Sequence, residues 1–123
     1  MGNEQQPGGR GHYKLEAWKR GRELVLGVYR LTQSFPREET FGLTAQLRRA
    51  AVSIPSNIAE GAARAGKREF AQFLYIARGS LSEIETQLLI ATDLGYIKAD
   101  DPVFELVDLV SRPINGLRKS IHK

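Results

Sequence analysis

The sequence predicts an all-α protein built as an antiparallel up-down bundle of four helices. Apolar residues recur at spacings of three and four in four segments, which is the period of a helix with a buried side. Proline and glycine separate these segments, and no segment alternates apolar and polar residues as a half-buried strand does. Short connections between consecutive helices favour neighbours that run in opposite directions.

The chain is expected to form one domain, because its 123 residues fall within the usual size of a single folding unit. Residues 1–12 are dominated by glycine, proline and polar side chains, a composition that buries little apolar surface. We therefore predict a disordered tail over residues 1–12 and a four-helix bundle domain over residues 13–123.

The first helix is predicted from about Tyr13 to Ser34, and it ends there because proline at position 36 disfavours helical backbone in the residue before it. This helix carries apolar residues on two nearly opposite sides. One stripe consists of Leu15, Trp18, Val25, Leu26 and Tyr29, and the other consists of Leu24, Val28, Leu31 and Phe35.

The second helix is predicted from about Leu43 to Ala62, with Thr40 or Thr44 as its cap and a kink at Pro55. It also has two apolar sides, of which the second is made of small residues. The core stripe is Leu43, Leu47, Ala50, Ala51, Ile54 and Ile58, and the small stripe is Ala45, Val52 and Ala59. A polar strip of Gln46, Ser53, Asn57 and Glu60 runs beside the core stripe, and hydrogen bonding within or between subunits is its expected role.

The third helix is predicted from about Lys67 to Leu94 and is closed by Gly95. The fourth begins where Asp101 caps it and Pro102 takes the first helical position, and Pro113 predicts a kink or a break near Ser111. The core stripe of the third helix is Phe70, Phe73, Leu74, Ala77, Leu81, Ile84, Leu88 and Ala91, and that of the fourth is Leu106, Leu109, Val110, Leu117 and Ile121.

Helices that are apolar on two sides must be covered twice, and in a chain this short the second cover is expected to be another copy of the chain. The sequence therefore predicts a homo-oligomer, without fixing the number of subunits. The residues assigned to the interface are Leu24, Val28, Leu31, Ala45, Val52 and Ala59.

The formal net charge of +4 is unevenly distributed along the chain. From Thr44 to Arg68 five basic residues stand against one acid, whereas from Glu69 to Asp108 two stand against eight. A basic surface of this kind favours contact with the phosphates of RNA or DNA. The residues assigned to nucleic acid are Arg48, Arg49, Arg64, Lys67 and Arg68, followed by Lys19, Arg20 and Arg22.

An alternative has equal support from the sequence: a protein-binding adaptor or structural oligomer that does not bind nucleic acid. In that case the charges serve solubility and pairing between subunits. Arg48 and Arg49 would then form ion pairs across the interface with carboxylates such as Glu60, Glu83 or Glu85.

Several classes of chemistry lack the residues they need. The sequence has no cysteine, its two histidines lie near the chain ends, and no glutamate is followed three residues later by histidine, so zinc and di-iron sites are not expected. We predict no catalytic residue, no metal and no cofactor, and hence a protein that is not an enzyme. No apolar run reaches the roughly 18 residues of a membrane span and no signal peptide is evident, so a cytoplasmic location without membrane contact is expected.

Two runs carry a resemblance to a known family: LRRAAVSIPSNIAEG from Leu47 to Gly61, and KREFAQFLYIARGSLSEIETQLLIATDLGYI from Lys67 to Ile97. They resemble the small bacterial family called four helix bundle protein, also known as the 23S rRNA intervening-sequence protein. The resemblance implies an antiparallel four-helix bundle assembled as a ring-shaped homopentamer. It is similar in kind to the accessory protein of diversity-generating retroelements, a basic pentameric bundle that binds nucleic acid and a reverse transcriptase.

Overall fold

A computed structural model describes residues 11–121, which fold into α-helices and short 3-10 helices and contain no strand. The four α-helices are α1 (Glu16–Thr32), α2 (Leu43–Ala62), α3 (Lys67–Asp93) and α4 (Val103–Ile121), and the 3-10 helices are Gly11–Lys14 and Arg37–Glu39. The predicted all-α fold with four helices is confirmed. Residues 1–10 of the predicted tail lie outside the described range, and its last two residues belong to the first 3-10 helix.

The core lies between the four α-helices, each of which packs against two others. Helix α2 contacts α1 and α3, and α4 also contacts α1 and α3. The largest fully buried side chains are Leu24, Val28, Leu47, Ile54, Ile58, Leu74, Ile84, Leu88, Val110 and Ile114. The predicted core stripe of α2 is buried throughout, and that of α3 is buried except at Phe70 and Phe73, which are half-buried.

The structure corrects the assignment of the two stripes of α1. Leu24 and Val28 are 0% exposed in the single chain, so they are core residues of the protomer and their assignment to an interface between copies is wrong. Leu31 is half-buried and packs against the same core. Ala17 and Gly21 continue this side of α1 and are also buried; small residues there let α1 approach α2, where Gly21 lies against Ile54.

The small-residue stripe of α2 faces away from the core. Val52 is 41% exposed, and Ala45 and Ala59 are half-buried. These three residues remain available to another molecule, and their assignment to an interface stays a prediction.

A carboxylate, rather than a threonine, caps the start of α2. The backbone N–H of Leu43 donates to Glu39 Oε1 at 3.0 Å, which satisfies one of the unpaired donors of the first turn. Thr40 instead donates its hydroxyl to the carbonyl of Arg37, so the predicted threonine cap is wrong. The phenol of Tyr96 donates to the second oxygen of Glu39 at 2.9 Å, and this hydrogen bond raises the pKa of Tyr96 above its ordinary value.

Helices α2 and α4 continue past their internal prolines, Pro55 and Pro113. The break predicted near Ser111 is therefore wrong. Ile114 follows Pro113 and is 1% exposed, so packing of this turn into the core offsets the cost of the hydrogen bond that proline removes.

The stripe predicted for α4 is shifted around the helix. Val103, Val107, Val110 and Ile114 form its buried side. Of the predicted residues only Val110 is buried, whereas Leu106, Leu109, Leu117 and Ile121 are half-buried. The predicted start of α4 is supported, because the N–H of Val103 donates to Asp101 Oδ1 at 2.9 Å.

Gly95 ends α3 as predicted. Its φ of +81° is the only positive value among the described residues, and it allows the N–H of Tyr96 to donate to the carbonyl of Ala91 at 2.9 Å while its own N–H donates to Thr92. These two hydrogen bonds form a Schellman motif. The short connection that follows returns the chain to α4.

We predict that Gly61→Ala destabilises the fold, whereas Gly79→Ala stabilises it. A Cβ at position 61 would lie 2.7 Å from Phe73 Cβ and 2.9 Å from Phe70 Cδ1, while one at position 79 meets nothing within 4 Å. Overpacking costs about 1–3 kcal/mol, whereas an exposed helical glycine gains roughly 0.5–1 kcal/mol on becoming alanine. Urea unfolding at one fixed protein concentration checks this; equal effects at the two positions would contradict the close α2–α3 contact.

We predict that the hydrogen bond from Tyr96 to Glu39 makes the free energy of unfolding depend on pH in the alkaline range. Because the folded-state pKa is raised, the stabilisation from this hydrogen bond is complete below the ordinary tyrosine value of about 10 and is lost as the pH rises through the raised value. The free energies of unfolding of the wild type and of Tyr96→Phe should therefore differ at about pH 8 and become equal above the raised pKa of Tyr96. A difference in unfolding free energy that stays constant across this range would argue against the bond.

Candidate nucleic-acid interface

Arg48 is held against the end of α1. Its Nε donates to Thr32 Oγ1 at 2.9 Å, its Nη2 approaches the carbonyl of Tyr29 at 3.4 Å, and its guanidinium lies 4.5 Å from the centroid of the Tyr29 ring. Arg48 is half-buried. It therefore links α2 to α1 and satisfies polar groups of the last turn of α1, which leaves it less available to a ligand than its type suggests.

Arg49 faces the other neighbour of α2. It is exposed and lines a polar groove of about 380 Å³ between α2 and α3, together with Gln46, Ser53, Ser80 and Glu83. Adjacent positions on a helix point about 100° apart, which is why the Arg-Arg pair divides between two sides of α2. Arg49 forms no ion pair with any residue from 11 to 121.

The predicted polar strip of α2 forms hydrogen bonds within the chain, as expected. Ser53 and Ser80 hydroxyls lie 2.8 Å apart, and Asn57 Nδ2 donates to the carbonyl and hydroxyl of Ser53. Deeper in the α2–α3 contact, Gln87 Nε2 lies 3.4 Å from Gln46 Oε1. Gln87 is 5% exposed, and the helical pattern of the sequence does not predict that this polar residue is buried.

Arg64 marks the connection between α2 and α3. Its Nη2 lies 3.0 Å from Glu60 and its Nη1 lies 4.0 Å from Glu69, and its guanidinium lies 5.1 Å from the Phe73 ring centroid. Exposed ion pairs between helix positions four residues apart, such as Arg64 with Glu60, contribute only about 0.3–0.5 kcal/mol. The Arg64 guanidinium can therefore leave this pair to bind a phosphate.

Lys67 and Arg68 open α3 beside Arg64, and both are exposed. No carboxylate lies within ion-pair distance of either among the residues that the structure describes. Both line a hollow of about 420 Å³. Its other lining residues are Ala71, Gln72, Tyr75 and Ile121.

The second group of predicted cations lies on α1. Lys19 is exposed, whereas Arg20 pairs with Glu16 and Glu23 at 3.0 Å each. The hydrogen bond to Glu23 raises the pKa of Arg20 further above its ordinary value, so this guanidinium stays charged and paired. Arg22 is exposed and its guanidinium lies 4.9 Å from the centroid of the Trp18 ring.

The predicted basic surface therefore divides into separate parts. Arg49 and Arg64 are separated by 15 positions, or roughly 20 Å along a helix axis. Arg48 and Arg49 lie near the start of α2, whereas Arg64, Lys67 and Arg68 lie together at the α2–α3 connection. The second set is the candidate nucleic-acid interface that the geometry supports.

The sequence pattern does not predict two residues that lie beside this interface. The Arg118 guanidinium of α4 lies 5.3 Å from the centroid of the Tyr75 ring. Neither residue is among those that the sequence assigns to a site. Their contact joins residues 43 positions apart, which periodicity along one helix does not reveal. In the sequence, only the cluster of basic residues at the end of α4 indicates that Arg118 could contribute to a basic surface.

Within residues 11–121 no group of three or more histidine, aspartate or glutamate side chains is placed to hold a metal ion. In that same range no helix has both the length and the apolar character needed to cross a membrane.

Comparison with known proteins gives a family. No curated protein sequence matches the chain. A model of the family described as 23S rRNA-intervening sequence protein matches residues 13–116, which include α1, α2, α3 and most of α4. On this match, the chain belongs to the 23S rRNA-intervening sequence protein family.

Proposed function

We propose that this chain is a non-enzymatic, cytoplasmic, homo-oligomeric protein that binds the phosphate backbone of nucleic acid through a basic surface. Its four helices run antiparallel in up-down order, and copies associate into a ring, for which the resemblance implies five subunits. The observation that carries the binding proposal is the exposure of Lys67 and Arg68 beside Arg64, with no carboxylate opposite Lys67 or Arg68 in the described part of the chain.

Contacts between helices support the antiparallel arrangement. Near the start of α2, Gln46 meets Gln87 near the end of α3, and Ser53 meets Ser80 closer to the middle of both helices. Helices α3 and α4 meet where Tyr75, early in α3, lies under Arg118, late in α4. The Gln46–Gln87 and Tyr75–Arg118 pairs each join an early position on one helix to a late position on the next, as antiparallel neighbours do.

Exposed apolar side chains support association between copies. Val52 and Tyr29 lie on one face, since Arg48 contacts the Tyr29 ring and stands one turn before Val52. Ile76 and Ile90 of α3 are also exposed. Copies that pack against these side chains would remove them from water, and a ring of subunits would bring several weak basic surfaces to one polyanion.

The family supports the nucleic-acid proposal, because its name refers to an intervening sequence of 23S rRNA. Arginine and lysine contacts to phosphate give binding with little dependence on base sequence. RNA and DNA therefore remain two forms of the same proposed ligand.

A protein-binding adaptor or structural oligomer is the second candidate, and Arg48 favours it. This arginine is already used in contacts to Thr32 and Tyr29, so one of the leading basic residues serves the fold. The adaptor proposal requires Arg49 to pair with a carboxylate of a second subunit, such as Glu83, rather than with phosphate.

We predict binding to RNA or duplex DNA that weakens as salt increases. Fluorescence polarisation from about 50 to 200 mM NaCl should give a linear fall of log K with log salt, with a slope of about −0.9 per phosphate contact on duplex DNA. Lys67→Ala combined with Arg68→Ala should weaken binding and flatten this slope. The matched control is Arg37→Ala combined with Lys98→Ala, which removes two exposed cations outside the proposed interface and should bind like the wild type.

The two candidates give different results in this titration. Absence of binding at the lowest salt, or binding without salt dependence, excludes the nucleic-acid proposal and leaves the adaptor. Equal losses in the two double variants would mean that net charge, rather than the α2–α3 connection, governs the contact.

A further inference from the structure

We infer that Phe41 of one copy inserts into a pocket between α1 and α4 of a neighbouring copy, with Leu31 and Leu106 in the pocket wall. This inference rests on the proposed homo-oligomer and specifies one contact that joins its subunits. The contact is heterologous, because the inserted side chain and the pocket belong to different surfaces of the chain. Heterologous contacts form a ring when the rotation between neighbours closes.

Phe41 presents an aromatic ring to solvent from an anchored turn. Its side chain is 94% exposed in the single chain. The N–H of Gly42 donates to the carbonyl of Glu39 at 3.0 Å, and the Glu39 carboxylate accepts hydrogen bonds from the N–H of Leu43 and the phenol of Tyr96. An aromatic side chain offers a large apolar area for burial, so this turn holds out a surface that a second copy can cover.

The pocket that receives this ring has a volume of about 340 Å³. Gly27 and Leu31 of α1 form one wall, and Pro102, Val103 and Leu106 form the other at the beginning of α4. A Cβ at position 27 would lie 2.5 Å from Leu106 Cδ1, so the glycine leaves the space that the Leu106 side chain occupies. A cavity of about 150 Å³ holds a benzene molecule, and the pocket therefore has room for a phenyl ring.

The positions of Phe41 and the pocket suit copies that stand side by side. Gly27 and Leu31 lie in the last two turns of α1, and Phe41 follows in the connection to α2. Both features therefore lie at the end of the bundle where α1 finishes. The connection leads into α2, which packs against α1 and α3, whereas the pocket opens between α1 and α4. Neighbours with aligned helices would bring the Phe41 of one copy level with the pocket of the next.

Opposite charges flank the two surfaces. Arg30 is exposed at the pocket, and Glu38 is exposed three positions before Phe41. Neither forms an ion pair with any residue in the described range. Asp101 also lines the pocket, but its Oδ1 accepts the N–H of Val103 at the start of α4. Arg30 and Glu38 are thus available to pair across the contact, where such pairs fix orientation more than they add affinity.

Sedimentation equilibrium of the full chain over a range of concentrations tests the inserted ring. Phe41→Ser should raise the dissociation constant between subunits at least about tenfold, since burial of a phenylalanine side chain contributes more than one decade of affinity. The core does not depend on this exposed side chain, so helical circular dichroism should be unchanged. The matched control is Leu89→Ser, which removes another exposed apolar side chain, 56% exposed on α3, and should keep the wild-type mass.

A charge exchange tests the pocket itself. Arg30→Glu and Glu38→Arg should each raise the same dissociation constant by about two- to fivefold, the range expected for an exposed ion pair. The chain that carries both substitutions again places opposite charges across the contact, and its dissociation constant should return close to that of the wild type.

The outcomes separate this inference from the proposed function. A wild-type assembly whose mass survives Phe41→Ser overturns the inference and leaves the homo-oligomer intact. Equal losses for Phe41→Ser and Leu89→Ser, or a charge exchange that does not restore assembly, overturn the assignment to this pocket. A wild-type particle of one chain mass overturns the proposed homo-oligomer and this inference with it.

Discussion

The close contact between Gly61 at the end of α2 and Phe70 and Phe73 near the start of α3 is the constraint on which the candidate site depends. Because a glycine stands at position 61, the two helices approach to a distance that a Cβ would not allow, and they are joined by only four residues, 63–66. This short turn places Arg64 beside Lys67 and Arg68 at one end of the α2–α3 pair. The hydrogen bonds of Ser53 with Ser80 and of Gln46 with Gln87 join the same two helices along their length, so the basic end belongs to a pair of helices that are held together by direct contacts.

The same geometry divides the surface into parts with different roles. One arginine of the central Arg-Arg pair, Arg48, is used to hold α1 to α2, whereas Arg49 opens onto the α2–α3 groove. The outward side of α2 is made of small residues and Val52, which permits close approach by another helix. The core of the protomer is complete without this side, because Leu24 and Val28 are fully covered within the single chain. The proposed association adds a second apolar contact and does not complete the first.

Much of the fold follows from sequence pattern, and the failures have a common cause. The bounds of α2 and the ends of α3 were predictable because Gly66 and Gly95 interrupt a strong helical period, and Asp101 gives a clear cap for α4. The sequence does not show which of the two apolar stripes on α1 faces the core. Periodicity gives the spacing of apolar residues, but not the direction in which the neighbouring helices lie. The glutamate cap of α2 and the contact of Arg118 with Tyr75 were missed for a related reason: both depend on the path of the chain between helices. The sequence alone gives the positive charge of the residues at the α2–α3 connection, but their separation from Arg48 and Arg49 is visible only in the structure.

The central claim is that the apolar side chains left outside the protomer, Val52 among them, are covered by further copies of the chain. Light scattering of the wild-type protein at micromolar concentration tests this most directly. We predict a folded particle whose mass is a multiple of the 13.7 kDa chain, with five chains as the number that the family resemblance implies. We expect a smaller mass for Val52→Glu, because its charge would be buried at the contact. A wild-type particle of one chain mass with full helical circular dichroism would contradict it.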